Sequence, residues 1–230
     1  DVERSRGLGD VYKRQAFLHG YGSPEVLPYL DRAAPLLARC EDANAKGIYY
    51  VYRWSHAYFS GNVALDIALE EIESARASDM PVFQAYGHFH AAASHWKAGN
   101  LRQVIEQTDL VEKVYEPIAG KALALITNFD PRIVSRINVS GVLAELGKFE
   151  ESRKAEARAQ QLADEYDHPM LKGLVPTYMC YQMVAMEVEP ERILNCAAQA
   201  LEISSRYGYR EGMDPVSYTH LRAHETSLHL

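Results

Sequence analysis

Apolar side chains recur every three or four positions along most of this sequence, which is the spacing of one face of an α-helix. The clearest stripe runs through the segment 150–163, where charged side chains occupy one face and apolar ones the other, namely Ala155, Ala159, Leu162 and Ala163. No stretch alternates with the period of two that is typical of a half-buried strand. The pattern therefore predicts an all-α protein.

One layout occurs three times: a helix rich in aromatic and small residues, a turn with glycine, and a second amphipathic helix. The turns are predicted at Gly61-Asn62, Gly99-Asn100 and Gly147-Lys148, which lie 38 and 48 residues apart. A glycine just past a helix end supplies the left-handed residue that terminates the helix at little cost. Such repetition indicates a helical repeat protein.

A fourth hairpin is predicted with helices over 170–186 and 190–207 and a turn at 187–189. Between the second and third hairpins, the segment 116–132 contains two prolines, and a short helix over 120–126 followed by a loop is expected there. Three prolines suit the first position of a helix, where the missing N–H has no partner in any case: Pro81, Pro169 and Pro190.

A helical hairpin has two apolar faces and can bury only one by itself, so neighbouring hairpins must cover the other. We therefore expect tetratricopeptide-like helical hairpins stacked as a right-handed α-solenoid, with four to five hairpins in one domain over 16–214. The first helices of such an array line a concave surface, where a protein or peptide partner, or a small effector, is expected to bind. The repeat register places four residues on that surface: Tyr86, Phe89, Trp96 and Lys97.

Both ends of the chain look foreign to the protein. The segment 5–15, SRGLGDVYKRQ, is one reading frame of a DNA word that resembles a transposase adapter of sequencing libraries. The segment 216–225, VSYTHLRAHE, translates the reverse complement of the same word. We expect 1–15 and 215–230 to be adapter-derived, with the natural segment running from 16 to about 214.

Composition limits the class of partner. The sequence has 31 acidic and 24 basic residues, a net charge of −7, and no basic stripe of the kind that neutralises nucleic-acid phosphates. No apolar run approaches the roughly 20 residues of a membrane span. Cys40, Cys180 and Cys196 lie far apart and form no Cys-x-x-Cys pair, which argues against a disulfide scaffold or a zinc site. A cytoplasmic protein with buried thiols is expected, without nucleic-acid or membrane partners.

Three histidines fall on the predicted first helix of the second hairpin: His88, His90 and His95. His88 and His95 are seven residues apart and therefore share a face, where they could in principle hold a metal ion. The helix lacks the i, i+4 histidine pair of metalloproteases and carries no nearby carboxylate. Packing histidines are the favoured interpretation, and no metal site is predicted.

No catalytic or cofactor motif is found in the sequence. Gly120-Lys121 suggests a phosphate-binding loop, but Tyr115 stands where the first glycine is needed and Ala122 where serine or threonine is needed. The chain is therefore expected not to be an enzyme and to bind no cofactor. The run of Glu70, Glu71 and Glu73 is expected to be a solvated helix face. A dense aromatic stretch is expected to be mostly core: Tyr49, Tyr50, Tyr52, Trp54, Tyr58 and Phe59.

Parts of the segment 48–213 resemble the helical repeat region of large bacterial signalling ATPases. The likeness is carried by NFDPRIVSRINVSGVLAELGKFEES, by LADEYDHP at 162–169 and by SSRYGYREGM at 204–213. In that family an Asp-Pro begins a helix that ends in a Leu-Gly turn, and a His-Pro follows; the matching pairs here are Asp130-Pro131, Leu146-Gly147 and His168-Pro169. The sequence departs from the pattern at Glu187-Val188, which lacks glycine, and at Val104 and Ser152, where alanine is typical.

The resemblance implies a non-catalytic sensor or scaffold region of a multidomain signalling ATPase. Members of the family carry a nucleotide-triphosphatase module and often an adenylate or guanylate cyclase or a protein kinase domain. Two alternatives stay open: the repeat region of an ATPase-type transcription regulator, and a free-standing repeat adaptor. None of the family's catalytic or nucleotide-binding motifs lies in this sequence, so the resemblance implies no functional residue.

Overall fold

The computed structural model describes residues 21–37, 39–115, 130–166, 169–185 and 190–207, and none of them lies in a strand. Nine helices occupy this described part: α1 Leu27–Leu37, α2 Ala43–Phe59, α3 Leu65–Ala77, α4 Pro81–Lys97, α5 Leu101–Tyr115, α6 Pro131–Glu145, α7 Phe149–Glu165, α8 Pro169–Ala185 and α9 Pro190–Tyr207. None of the nine is long and apolar enough to cross a bilayer. The predicted all-α class is confirmed.

The helices pair as hairpins, with α2 on α3, α4 on α5, α6 on α7 and α8 on α9. Three of the four connecting turns contain a glycine with positive φ, at +100° for Gly61, +77° for Gly99 and +75° for Gly147. These are the turns that the sequence predicts, and the left-handed backbone explains why glycine stands in each. Pro81, Pro169 and Pro190 open α4, α8 and α9, also as predicted.

The hairpins fall into two compact units, 1–127 and 128–230. Helix α4 begins 38 residues after α2, and α8 begins 38 residues after α6, so each unit repeats with the same period. The boundary between the units lies inside the predicted irregular segment 116–132, which accounts for the wider spacing between the second and third turns.

Several sequence-based expectations lie outside the described residues. They are the adapter-derived ends 1–15 and 215–230, the short helix over 120–126 and the turn at 187–189.

Two clusters of buried residues join the first helices of the first unit. One joins α1 to α2 through Val26, Leu30 and Tyr52. The other joins α2, α3 and α4 around Trp54, and most of its remaining members are small or β-branched. The alanines of α4, including Ala91 and Ala93, let the neighbouring helices approach closely, which is how the sequence suits a stacked hairpin.

In the second unit a buried polar network fixes the start of α6. Asp130 precedes the helix, and its Oδ1 accepts the backbone N–H of Arg132 at 2.9 Å, which caps the helix. The Arg132 guanidinium donates back to the same carboxylate, with Nη2 2.7 Å from Oδ2. Tyr166, which ends α7, donates its hydroxyl to that Oδ2 at 2.5 Å. The carboxylate has no exposed surface and joins both helices of one hairpin.

The protonation states of this network follow from the same contacts. Burial alone would lower the pKa of Arg132, but the hydrogen bond and the charge of Asp130 outweigh burial and raise it. Burial and the hydrogen bond to Asp130 raise the pKa of Tyr166 to about 12. Both donors therefore keep their protons throughout the neutral range.

Replacing Asp130 should destabilise the protein far more than replacing an ordinary helix cap. D130A removes the cap and leaves the Arg132 guanidinium buried without its carboxylate, which we expect to cost about 3–5 kcal/mol. The matched control is D42A, because Asp42 caps α2 in the same way but has no ion pair among the described residues. That change should cost about 1 kcal/mol. Free energies of unfolding in denaturant, followed by circular dichroism, would measure the difference, and equal losses would contradict the role given to the ion pair.

Candidate functional site

Two of the four residues predicted to line a binding surface are in the core. Tyr86 has no exposed surface and Phe89 is 6% exposed, because every residue of α4 from 85 to 94 is buried. Helix α3 covers one side of α4 and α5 covers another, with α2 also in contact. The repeat register was therefore wrong in giving Tyr86 and Phe89 an open face. Trp96 is half-buried and Lys97 is exposed.

Lys97 links the ends of two first helices. Its ammonium donates to the backbone carbonyl of Tyr58 at 2.7 Å and lies 4.4 Å from the centre of the Tyr58 ring. A cation at the carboxyl end of a helix is favourable because the last carbonyls carry partial negative charge. Because Lys97 already makes this contact within the fold, its ammonium is not free to hold a ligand.

The aromatic stretch of α2 is mainly core, as the sequence predicts. Tyr49, Tyr52 and Trp54 are buried, whereas Phe59 is 58% exposed. Trp54 stacks on Tyr58 with ring centres 4.6 Å apart, and its indole N–H donates to Ser94 Oγ at 3.0 Å. The indole therefore has both its apolar face and its polar atom satisfied inside the fold.

The histidines of α4 also serve packing. His88 Nδ1 lies 2.7 Å from Gln107 Oε1 on α5, and burial lowers the pKa of His88. His90 is buried and stacks on Trp54 with ring centres 3.9 Å apart. Among the described residues, no three or more His, Cys, Asp or Glu side chains gather as a metal site.

Glu71 corrects the expectation of a solvated glutamate run. Glu70 and Glu73 are exposed, but Glu71 has no exposed surface, and its Oε2 lies 2.6 Å from His90 Nδ1. The reason is the helical period, because Glu71 falls on the buried stripe of α3 between Ile67 and Ala75. The sequence contains this apolar spacing, but the glutamates on either side of Glu71 make the position look exposed.

The pair of Glu71 and His90 lies where α2, α3 and α4 meet. Burial raises the pKa of Glu71, although the charge and hydrogen bond of His90 act in the opposite direction. Its second oxygen, Oε1, has no hydrogen-bond partner in the described part of the chain. The pair is sealed by the Trp54 ring, so it is a structural group and not a surface site.

An open cleft lies beside this core, between α1, α2 and α3. Its volume is about 580 Å³, which is within the usual range for small-molecule sites. Four lining residues come from α2, three from α1 and one from α3: Lys46, Tyr49, Tyr50 and Arg53; Asp31, Ala34 and Leu37; and Ser74. The sequence analysis did not single out this cleft.

The α2 wall of the cleft is a stripe of polar groups at helical spacing. Lys46, Tyr50 and Arg53 follow one another at intervals of four and three residues and so share a face. Arg53 pairs with Glu70 at 2.5 Å, whereas Lys46 has no ion pair among the described residues. Burial, and after it the charge of Glu70, raises the pKa of Tyr50, so its hydroxyl keeps its proton. The wall therefore offers a cation and a phenol that can hold an acidic group.

The lining of the cleft carries groups of both charges. Asp31 on the opposite wall adds a carboxylate without an ion pair in the described residues, so the cleft can match a ligand that carries both charges. The lining contains no histidine or cysteine, which are the usual general base and the most reactive nucleophile. In the sequence, the cleft is indicated by the helical spacing of Lys46, Tyr50 and Arg53. This spacing matches no known basic or aromatic motif.

Comparison with known proteins supports the helical-repeat fold. No protein-family model matches the chain, and no curated protein matches it. Among solved structures, it is similar to a protein from Pyrococcus horikoshii described as a Signal Transduction ATPase with Numerous Domains that has a tetratricopeptide repeat sensor. The TM-score is 0.54 with 15% identity, over 95% of this chain and 32% of that one. The chain thus spans about a third of that protein, and the likeness shows a helical-repeat fold.

Substitutions of the buried Glu71 should reduce stability more than a substitution of the exposed Glu73. E71L leaves His90 Nδ1 buried without a partner and should cost about 1–3 kcal/mol of stability. E71Q can still hydrogen bond to His90 and should cost less. E73Q, on the exposed face of the same helix, should stay within about 0.5 kcal/mol of the parent chain. Denaturant unfolding would measure all three, and an E71L chain as stable as E73Q would contradict the importance of the contact.

Proposed function

We propose that this chain is the non-catalytic, helical-repeat sensor region of a multidomain bacterial signalling ATPase, cyclase-linked and acting in the cytoplasm. The supporting observation is the likeness of 95% of the chain to part of a signalling ATPase that has a tetratricopeptide repeat sensor. The sequence resemblance of 48–213 to the repeat regions of such ATPases points to the same class. A fold of stacked hairpins suits this role because its exposed helix surfaces can bind a partner without changing the core.

The cleft between α1, α2 and α3 is the effector site that we assign to this sensor. An acidic small molecule would place its carboxylate or phosphate near Lys46, whose charge has no ion pair among the described residues. The phenol of Tyr50 can donate a hydrogen bond to it. An amino group on the same molecule would face Asp31. A protein or peptide partner would instead meet the exposed end of α4 at Trp96 and Lys97.

Two other roles share the same fold. The chain is alternatively the repeat region of an ATPase-type transcription regulator, or part of a free-standing repeat adaptor. The flanking coding sequence distinguishes them: a cyclase domain supports the sensor, and a helix-turn-helix or winged-helix domain supports the regulator. A gene of little more than 300 residues would support the adaptor.

The absence of catalysis can be measured directly. The full chain, incubated with MgATP or MgGTP, should form no nucleoside diphosphate and no cyclic nucleotide above the level of a heat-denatured sample. Chromatographic quantification of products would test this. Turnover that scales with the concentration of the purified chain would overturn the non-catalytic assignment.

The cleft can be tested by thermal denaturation with a panel of amino acids, dicarboxylates and phosphorylated metabolites. At least one acidic compound should raise the melting temperature of the parent chain, because a ligand that binds only the folded state stabilises it. K46E should abolish that shift by reversing the charge of the cleft. K113E changes an exposed lysine of α5 in the same way and should retain the shift. A panel without any hit, or equal shifts in both variants, would contradict the assigned site.

A further inference from the structure

A cluster of sulfur atoms lies between α8 and α9 in the second unit. Cys180 and Met183 are buried on α8, and Cys196 packs against them from α9. Both cysteines are free thiols. Met179 packs against the same cluster, while Ile193 and Ala197 supply apolar surroundings. Two thiols and two thioethers are therefore gathered from parts of the sequence that show no metal-binding motif.

The spacing of the sulfur atoms suits a shared ligand. Cys196 Sγ lies 3.9 Å from Met183 Sδ. Two sulfur atoms bound to one metal ion at about 2.3 Å stand about 3.8–4.0 Å apart in tetrahedral or trigonal geometry. Cys180 lies three residues before Met183 on the same helical face and packs in the same cluster as Cys196. The third sulfur therefore belongs to this cluster.

We propose that Cys180, Met183 and Cys196 form a binding site for a soft monovalent metal ion, Cu(I) in particular. Thiolate and thioether sulfurs are soft ligands that select Cu(I) over harder cations. Two thiols and one thioether are too few for the closed four-ligand site that structural zinc requires. On binding, each thiol loses its proton to solvent as its sulfur bonds to the metal, and no change of oxidation state takes place.

The surroundings of the cluster keep its thiols protonated in the absence of metal. Burial raises the pKa of Cys180 to about 11, so the buried thiol is protonated and unreactive before metal arrives. Burial also raises the pKa of Cys196, although the charge of Arg192 acts in the opposite direction. Cys196 is partly exposed, which gives the ion a route to the buried sulfurs. Arg192 is itself held 3.2 Å from Glu156 of α7.

The test is an anaerobic titration of the reduced full chain with Cu(I) buffered by the chromogenic chelator bicinchoninate. The chain should withdraw about one equivalent of Cu(I) from the chelator, because one trio of soft ligands binds one ion. A thiolate-to-copper absorption band should appear in the ultraviolet. Zn(II), offered under the same conditions with a zinc indicator, should not bind at this site.

Three variants and one control assign the ligands. C180S and C196S should each weaken Cu(I) binding by more than about tenfold, since even changes outside the ligand set cost about 10- to 100-fold. M183L keeps the volume of the side chain and should weaken binding without loss of helical circular dichroism. C40S alters a cysteine of the first unit, outside the cluster, and should bind like the parent chain.

A second measurement needs no variant. Iodoacetamide alkylation of the folded parent chain, followed by peptide mass spectrometry, should show the partly exposed Cys196 protected by one equivalent of Ag(I), with Cys40 still modified. Unchanged Cu(I) affinity in both C180S and C196S, equal affinity for Zn(II), or a disulfide between the two cysteines in place of a bound metal would each overturn the proposal. An unchanged affinity in M183L would likewise overturn this three-ligand site.

Discussion

The structure depends on the need of each hairpin to cover two apolar faces. Within the first unit, helix α4 meets this need most completely, since ten consecutive residues from 85 to 94 are buried beneath its neighbours. A helix that is covered all round has no face left for a ligand. Helix α2, by contrast, is buried along only part of its circumference and forms one wall of the cleft. The packing of the core thus limits which helix surfaces stay open.

Most of the fold was predictable because its signals are local. Glycine after a helix, proline at its start and a stripe of apolar residues depend on the nearest turn of the chain, and the structure places Gly61, Gly99, Gly147, Pro81 and Pro190 as expected. The cap of α6 by Asp130 belongs to the same class. Its contact with Tyr166, 36 residues later, does not, because it depends on how two helices pair.

The sites were harder to predict because they depend on which helices cover which faces. Tyr86 and Phe89 lie on a first helix, as the register required, but α3 and α5 cover that helix. The cleft forms because α1 lies beside α2, and no motif in the sequence predicts that pairing. Cys180 and Cys196 meet only because α8 and α9 form a hairpin. Each of these features is a property of a helix pair and not of a segment.

The buried contact of Glu71 and His90 has a consequence for how this sequence can evolve. Removing one partner leaves a polar group in the core without its hydrogen bond and lowers stability. Replacing both by apolar residues of similar shape can leave stability nearly unchanged. Any lineage that loses the pair by single steps must therefore pass through a destabilised intermediate. The two positions are expected to be inherited together, so that related chains carry either both residues or neither. A polar pair that contributes little to stability can persist in this way because neither residue can be lost alone.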